Sequence, residues 1–263
     1  MSHRYLDCML ERPIAHRGLH DLSHGIVENS ISAALCAIQS GYAIECDIQK
    51  TRDGNYIVFH DETLDRLTAH SGSITQYALT DLQEVQLLTT QDTIPSLQLF
   101  LTAIGGRAPL FIEIKSDFSD QVEFSQDLAR ILSQYQGPIA LESFDPRIIG
   151  YLRKNAKEFA LSHIPLGIVA QADYCEKEWP MLSRDLNISM KHFVHFNQTQ
   201  PDFISWRSAD FPHAIPNLFK SALRKPITAW TIHSQAEEKN TLQWADQIVF
   251  EGYRPTMKRE LIS

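Results

Sequence analysis

The sequence has little that would tie it to export, to a membrane or to nucleic acid. Its four cysteines (Cys8, Cys36, Cys46 and Cys175) form no CxxC pair and no dense framework, which argues against a disulfide scaffold and against a zinc site. No stretch approaches the roughly 20 continuous apolar residues of a membrane span. The opening residues, MSHRYLDCMLERP, carry charges throughout and lack an apolar signal core, so free thiols in a reducing cytoplasm are expected. Lysine- or arginine-rich runs are missing and the net charge is −8, which argues against a general nucleic-acid surface, because a phosphate backbone demands a positive footprint. An anionic small molecule can still bind if a metal and one or two placed cations overcome the overall field. No GxGxxG follows the first apolar run, so a dinucleotide-binding sheet is not indicated. Low-complexity segments, short repeats and linkers are also missing, and residues 1–263 are expected to form one domain.

What is present is an alternation of short apolar strands, polar turns and amphipathic helices. Pro13 to Gly18 predicts a first strand with a polar tip. Asn29 or Ser30 can cap the helix after it, whose Ile31, Ala34, Leu35 and Ile38 share a face, and Gly41 is placed to end it. Tyr42–Asp61 predicts two strands joined at Asp53-Gly54, a strong hairpin signal. Residues 62–95 depart longest from the alternation, with a capping box at Thr80-Asp81-Leu82-Gln83, and Ile94-Pro95-Ser96 leads into a helix closed by Gly105-Gly106. Further strands are expected at Leu110–Lys115, Ile139–Phe144, Leu166–Ala170, Asp202–Trp206, Ile227–Ile232 and Gln247–Glu251. Helices are expected at about 119–135, after Asp145-Pro146, in a region up to about 196, and near 213–224 and 235–244. Counting the hairpin once gives eight strand–helix units. That implies parallel strands, right-handed crossovers and a (β/α)8 TIM-type barrel with a small hairpin and loop insertion after the second strand.

The chemistry gathers around Tyr42–Asp61. Glu45 and Asp47 lie two apart on a strand, so both carboxylates aim one way. Flanked by Ile44, Ile48, Ile57, Val58 and Phe59, such a pair is costly unless a cation or hydrogen bonds neutralise it. His60 follows at the tip of the second strand. In a barrel, strand C-termini converge on one face. There the sequence places His16-Arg17, Glu45 and Asp47, His60, Glu113 and Lys115, and Glu142-Ser143. Each alone reads equally well as an ordinary salt-bridge partner; the set at matching strand ends points to a shared function. Glu45, Asp47 and Glu113 suit one oxygen-preferring divalent cation, Mg2+ or Ca2+. His20 and His24 sit in a polar loop and read as surface histidines. Trp206 and Trp230 read as core or pocket wall, with Phe144 beside Trp230 in that wall.

Ile14-Ala15-His16-Arg17-Gly18, Glu28-Asn29-Ser30, Ile44-Glu45-Cys46-Asp47, Thr51-Arg52-Asp53-Gly54, His60-Asp61 with Leu64-Asp65-Arg66-Leu67-Thr68, Ile94-Pro95-Ser96-Leu97 and Ile112-Glu113-Ile114-Lys115 follow in an order and spacing that resemble the glycerophosphodiester phosphodiesterase family. Ala229-Trp230-Thr231-Ile232 resembles its late tryptophan strand. The resemblance implies a barrel that hydrolyses small-molecule glycerophosphodiesters to glycerol 3-phosphate and an alcohol with a divalent cation. By motif, Glu45, Asp47 and Glu113 would be metal ligands and His16 and His60 the acid–base pair. Arg17 and Lys115 would hold the phosphate, and Glu28 would orient groups beside His16. The chain departs from the family pattern at Val27, before Glu28, at His233 after the tryptophan strand, and at Phe250-Glu251, where Thr-Asp is usual. The pattern leaves open whether water or a glycerol hydroxyl attacks, and which histidine is the acid. A lysophospholipase D-like or cyclising diesterase and a silent phosphodiester-binding barrel are the alternatives; the two histidines argue against the silent barrel.

Overall fold

The fold follows from strand alternation meeting helices with one apolar face. The computed structural model describes residues 2–88, 90–119 and 126–255, with only the backbone for 2–4. In order come α1 (Ser2–Met9), β1 (Ile14–Ala15), α2 (Ile31–Gln39), β2 (Ala43–Lys50), β3 (Tyr56–Val58), α3 (Leu79–Gln83), α4 (Leu97–Ile104) and β4 (Leu110–Ile114). The second half holds α5 (Gln126–Gln134), β5 (Ile139–Ser143), α6 (Pro146–Asn155), β6 (Leu166–Ala170), α7 (Arg184–Lys191), α8 (Phe196–Thr199), β7 (Phe203–Arg207), α9 (Ala214–Leu218), β8 (Ile227–Ile232), α10 (Gln235–Thr241) and β9 (Gln247–Phe250). Around the sheet the order is β1-β9-β8-β7-β6-β5-β4-β2, and β1 pairs with β2 to close it. All eight ladders are parallel. The fold is the expected (β/α)8 barrel, and β3 is the expected adjunct, antiparallel to the end of β2 through Ile48–Val58, Gln49–Ile57 and Lys50–Tyr56.

Two residue sets alternate along every strand, and each buries against something different. Ile44, Cys46 and Ile48 of β2, Leu110, Ile112 and Ile114 of β4, and Leu141 of β5 pack with the helices in the main core. The intervening residues fill the barrel. At its lower end Ile14, Ala43, Phe111, Ala140, Phe203 and Val249 join Leu6 and Met9 of α1, which plugs the opening. Phe203 lies over Gly167, where a Cβ would come within 2.3 Å of the ring, so any larger residue there would have to push the ring aside. One or two steps further up the same inward rows come Glu45, Asp47, Glu113, Glu142 and Ser205. The barrel is thus apolar at its floor and ionisable at its roof. Residues between β2 and α4 build a separate apolar cluster of Ile57, Phe59, Leu64, Leu67, Ile74, Leu82, Val85, Leu87 and Ile94, joined by Val27.

Local signals hold with specific exceptions. Ser30, not Asn29, caps α2, accepting from Ala33 N at 3.0 Å. Thr51 N donates to Asn55 O at 2.9 Å across the Asp53-Gly54 turn, where Gly54 takes φ +81°. Asp145 caps α6, accepting from Arg147 N at 2.9 Å. The first strand is shorter than expected, because the chain turns at Arg17 (φ +53°) and Gly18 (φ +80°). Thr80 does not cap α3; the cap falls two residues earlier, at Ala78, and Asp81 reaches back to accept from Ala78 N at 3.1 Å. Within the expected helix at 119–135, residues 120–125 lie outside the described residues and α5 covers Gln126–Gln134. The expected helix near 213–224 is α9 followed by a wider π turn over Phe219–Leu223, which ends where Arg224 turns left-handed.

Candidate active site

The β1–α2 turn sets the site's first corner. Arg17 N donates to Glu45 Oε2 at 2.8 Å, and Gly18 N donates to Glu45 O at 3.1 Å, so the turn is stitched to β2. Gly18 is required twice over: its φ is left-handed, and a Cβ there would lie 2.8 Å from Ala33 Cβ and 2.9 Å from the Ala33 carbonyl carbon. Glu28, Asn29 and Ser30 then do three different things. Glu28 accepts from Arg17 Nη1 at 2.6 Å. Asn29, itself left-handed at φ +56°, donates to Asp47 Oδ2 at 2.9 Å and accepts from Asp47 N at 3.2 Å. Ser30 starts the helix.

Glu45, Asp47 and Glu113 bring their oxygens within 4.8 Å of one another. Lys115 Nζ lies 2.9 Å from Glu113 Oε1 and 3.4 Å from Asp47 Oδ1, and Arg17 Nε lies 3.4 Å from Asp47 Oδ2. With Glu142 included, four carboxyls face these two cations in a pocket of about 110 Å³ that is also bordered by His16, His60, Phe144 and Trp230. Burial, then Asp47 and Glu113, push the Glu45 carboxyl well above the ordinary carboxylate range. Burial also works against ionisation of Asp47, yet Lys115, His60, Arg17 and His16 together hold it below that range. Lys115 stays protonated despite burial because Glu113 and Asp47 face it. Buried carboxyls in excess of the cations that face them, all of them oxygen donors, are the chemistry of a hard-cation site. These residues fit a metal ion.

Both imidazoles are oriented through Nδ1. His16 Nδ1 lies 2.6 Å from Glu251 Oε2, and His60 Nδ1 lies 2.8 Å from Asp61 Oδ1. This leaves each Nε2 for the pocket; His16 Nε2 is 4.0 Å from Glu45 Oε2. Burial lowers the His16 pKa, against the pull of Glu251, while the Glu251 carboxyl is held below its ordinary range chiefly by His16. Asp61 in turn accepts from Arg66 Nε at 2.6 Å, and Arg66 donates to Glu28 at 2.7 and 2.8 Å. A continuous polar chain therefore runs Arg17–Glu28–Arg66–Asp61–His60.

Of the residues proposed from sequence for the site, all but Ser143 border this one pocket or, as with Glu28, hold a residue that does; Ser143 Oγ instead donates to Ile114 O at 2.7 Å. Phe144 and Trp230 form one wall, their rings 5.4 Å apart and edge to face, whereas Trp206 is wholly in the core. His24 is exposed as expected, but His20 is not a surface histidine: only 17% of its side chain is exposed, and its Nε2 lies 3.9 Å from Glu251 Oε2. Sequence reasoning gave no role to Glu251, Asp61 or Arg66, offered Asn29 only as a helix cap, and placed Glu142 only among the strand-end residues. Asp61 and Arg66 stood within the quoted motifs and Glu142 at a strand end, and these were the available signals.

The sequence signature of the glycerophosphoryl diester phosphodiesterase family matches residues 16–245. A glycerophosphodiester phosphodiesterase of Caldanaerobacter subterraneus is 30% identical over 197 residues, 70% of this chain and 76% of that one. In fold, the chain resembles a phosphodiesterase of Oleispira antarctica solved in complex with the product sn-glycerol-3-phosphate, with a TM-score of 0.76, 20% identity and coverage of 98% and 99% of the two chains. A glycerophosphodiester phosphodiesterase of Parabacteroides distasonis superposes with a TM-score of 0.67 at 19% identity, covering 91% and 92%. With its signature matched from the first site histidine to beyond the tryptophan strand, the chain belongs to the glycerophosphoryl diester phosphodiesterase family.

Proposed function

We propose that this pocket hydrolyses glycerophosphodiesters to glycerol 3-phosphate and an alcohol, with His16 and His60 as the proton-transfer pair. The observation that carries the reading is two imidazoles, each anchored at Nδ1 by a carboxylate, bordering one small pocket with an acidic triad and two cations. A phosphodiester is anionic and repels nucleophiles, so charge must be neutralised before attack. Arg17 and Lys115 provide fixed positive charge, and Glu28 aims Arg17 while the carboxylates of β2 and β4 hold Lys115. An oxygen-preferring divalent cation such as Mg2+ or Ca2+, held by Glu45, Asp47 and Glu113, supplies further neutralisation of phosphoryl oxygens when bound.

His16, which burial favours in the neutral form, accepts the nucleophile's proton at Nε2, with Glu251 steadying the imidazolium that results. His60, oriented by Asp61, delivers a proton to the departing alkoxide. Among the described residues no helix is long and apolar enough to cross a membrane. A substrate small enough to diffuse, turned over in the cytoplasm, agrees with this.

The test is release of glycerol 3-phosphate from glycerophosphocholine by purified protein with Mg2+ or Ca2+. EDTA is expected to abolish turnover and added metal to restore it; an unchanged rate in EDTA removes the metal from the proposal. A cyclic glycerophosphate as the final product would replace hydrolysis by cyclisation.

A further inference from the structure

The mechanism above leaves one buried carboxyl unused. Glu142 on β5 is 3% exposed, and its Oε2 has no hydrogen-bond partner among the described residues. An unpaired buried polar oxygen costs roughly 1–3 kcal/mol, more if charged, so a fold that keeps one facing a pocket points to a partner that arrives with the ligand.

The partner's chemistry can be narrowed. Asp47 pairs in register with Glu113, and Glu113 with Glu142, so the three stand side by side across β2, β4 and β5. Even so, the donor atoms that gather within 4.8 Å are those of Glu45, Asp47 and Glu113, and Glu142 is outside that set. The pocket it borders is lined away from the metal-binding corner by Phe144, Val169 and Trp230, with Ser205 and Thr231 among them. A phosphate oxygen is an anionic acceptor, poorly matched to a carboxyl beside two others. A hydroxyl both donates and accepts, so it can pair with a carboxyl in either protonation state. A wall that mixes the apolar Phe144, Val169 and Trp230 with the Glu142 carboxyl and the polar Ser205 and Thr231 fits a short polyol better than a bare alkyl chain.

We propose that Glu142 reads a hydroxyl of the substrate's glycerol unit, making the Glu142–Phe144–Trp230 wall the subsite that selects glycerol-bearing phosphodiesters. The assignment rests on the phosphodiesterase reading above. A site built to bond a hydroxyl discriminates strongly against analogues that lack it, because its own polar group is left stranded.

The experiment compares kcat/KM for glycerophosphocholine with that for bis(p-nitrophenyl) phosphate, which has no hydroxyl, in wild type, Glu142→Leu and Glu142→Gln with metal supplied. Glu142→Leu is expected to lower the ratio of the two by about tenfold or more. Glu142→Gln, which keeps a hydrogen-bonding oxygen, is expected to recover most of that ratio. Should Glu142→Leu not fold, Glu142→Ala, which adds no bulk, carries the same comparison. Wild type active on both diesters, with a ratio that no substitution moves, overturns the role of Glu142 alone. Wild type inactive on both overturns the phosphodiesterase reading, and the subsite with it.

Discussion

At the scale of single residues, the His16–Glu251 contact sets the electrostatics of the proposed base. At 2.6 Å the carboxylate fixes the imidazole's orientation and favours the tautomer with its proton on Nδ1, which leaves Nε2 to accept. A Glu251→Gln protein keeps the shape and loses the charge. It is expected to lower kcat by about 10- to 100-fold with KM little changed, and Glu251→Asp to restore part of the loss. Steady-state kinetics alongside a melting curve checks this; a fall in kcat matched by a fall in melting temperature would make the contact merely structural. This partnership also marks where sequence reasoning ran out. Glu45 and Asp47 were legible because a strand's two-residue period puts them on one face, a local property, and Glu113 because barrel strand ends converge. Glu251 meets His16 from 235 residues away, and Arg66 meets Glu28 from 38 away. No local periodicity encodes either pairing.

Among the elements, the β1–α2 turn carries the greatest constraint. Gly18 combines a left-handed backbone with a close approach to Ala33, and its neighbour Arg17 hangs its side chain on Glu28. Gly18→Ala is expected to destabilise the fold by roughly 2–3 kcal/mol, through unfavourable φ and overpacking against a backbone that cannot move aside. Because Arg17 moves with the turn, activity is expected to fall further than the melting temperature alone accounts for. Urea unfolding with kinetics on the folded fraction separates the two effects, and wild-type stability in this variant would refute the packing argument. Other elements were readable for equally physical reasons. The Asp53-Gly54 turn and the Ser30 and Asp145 caps are determined by neighbours in the chain. The π turn after α9 and the folding-in of His20 depend on tertiary contacts that no window of sequence contains.

On the scale of the whole molecule, His195 contributes a pH dependence unconnected with catalysis. It lies at the start of α8, 4% exposed, beside Thr199 Oγ1 at 3.2 Å, and burial lowers its pKa from 6.5 to about 4. Between those values the unfolded chain binds a proton that the folded chain refuses. This contribution to stability is therefore intact above about pH 7 and lost as pH falls through that window, by roughly 2 kcal/mol at pH 5. His195→Gln is expected to flatten the difference between denaturation free energies measured at pH 7.5 and pH 5. An equal pH slope in the two proteins would show that His195 is not responsible.

The barrel and the cluster built by residues between β2 and α4 bury their apolar side chains separately, and His60 follows Phe59 of the smaller one. A unit with its own small core opens at lower free energy than the closed sheet beside it. Loss of turnover and loss of fold should then come apart. Along a urea gradient, residual catalysis is expected to vanish while far-ultraviolet ellipticity still reports an intact barrel, and early proteolytic cuts are expected within 62–93. Coincident curves would mean that the two cores melt as one. If they separate, inactivation of this enzyme begins as the detachment of one histidine rather than the collapse of its scaffold.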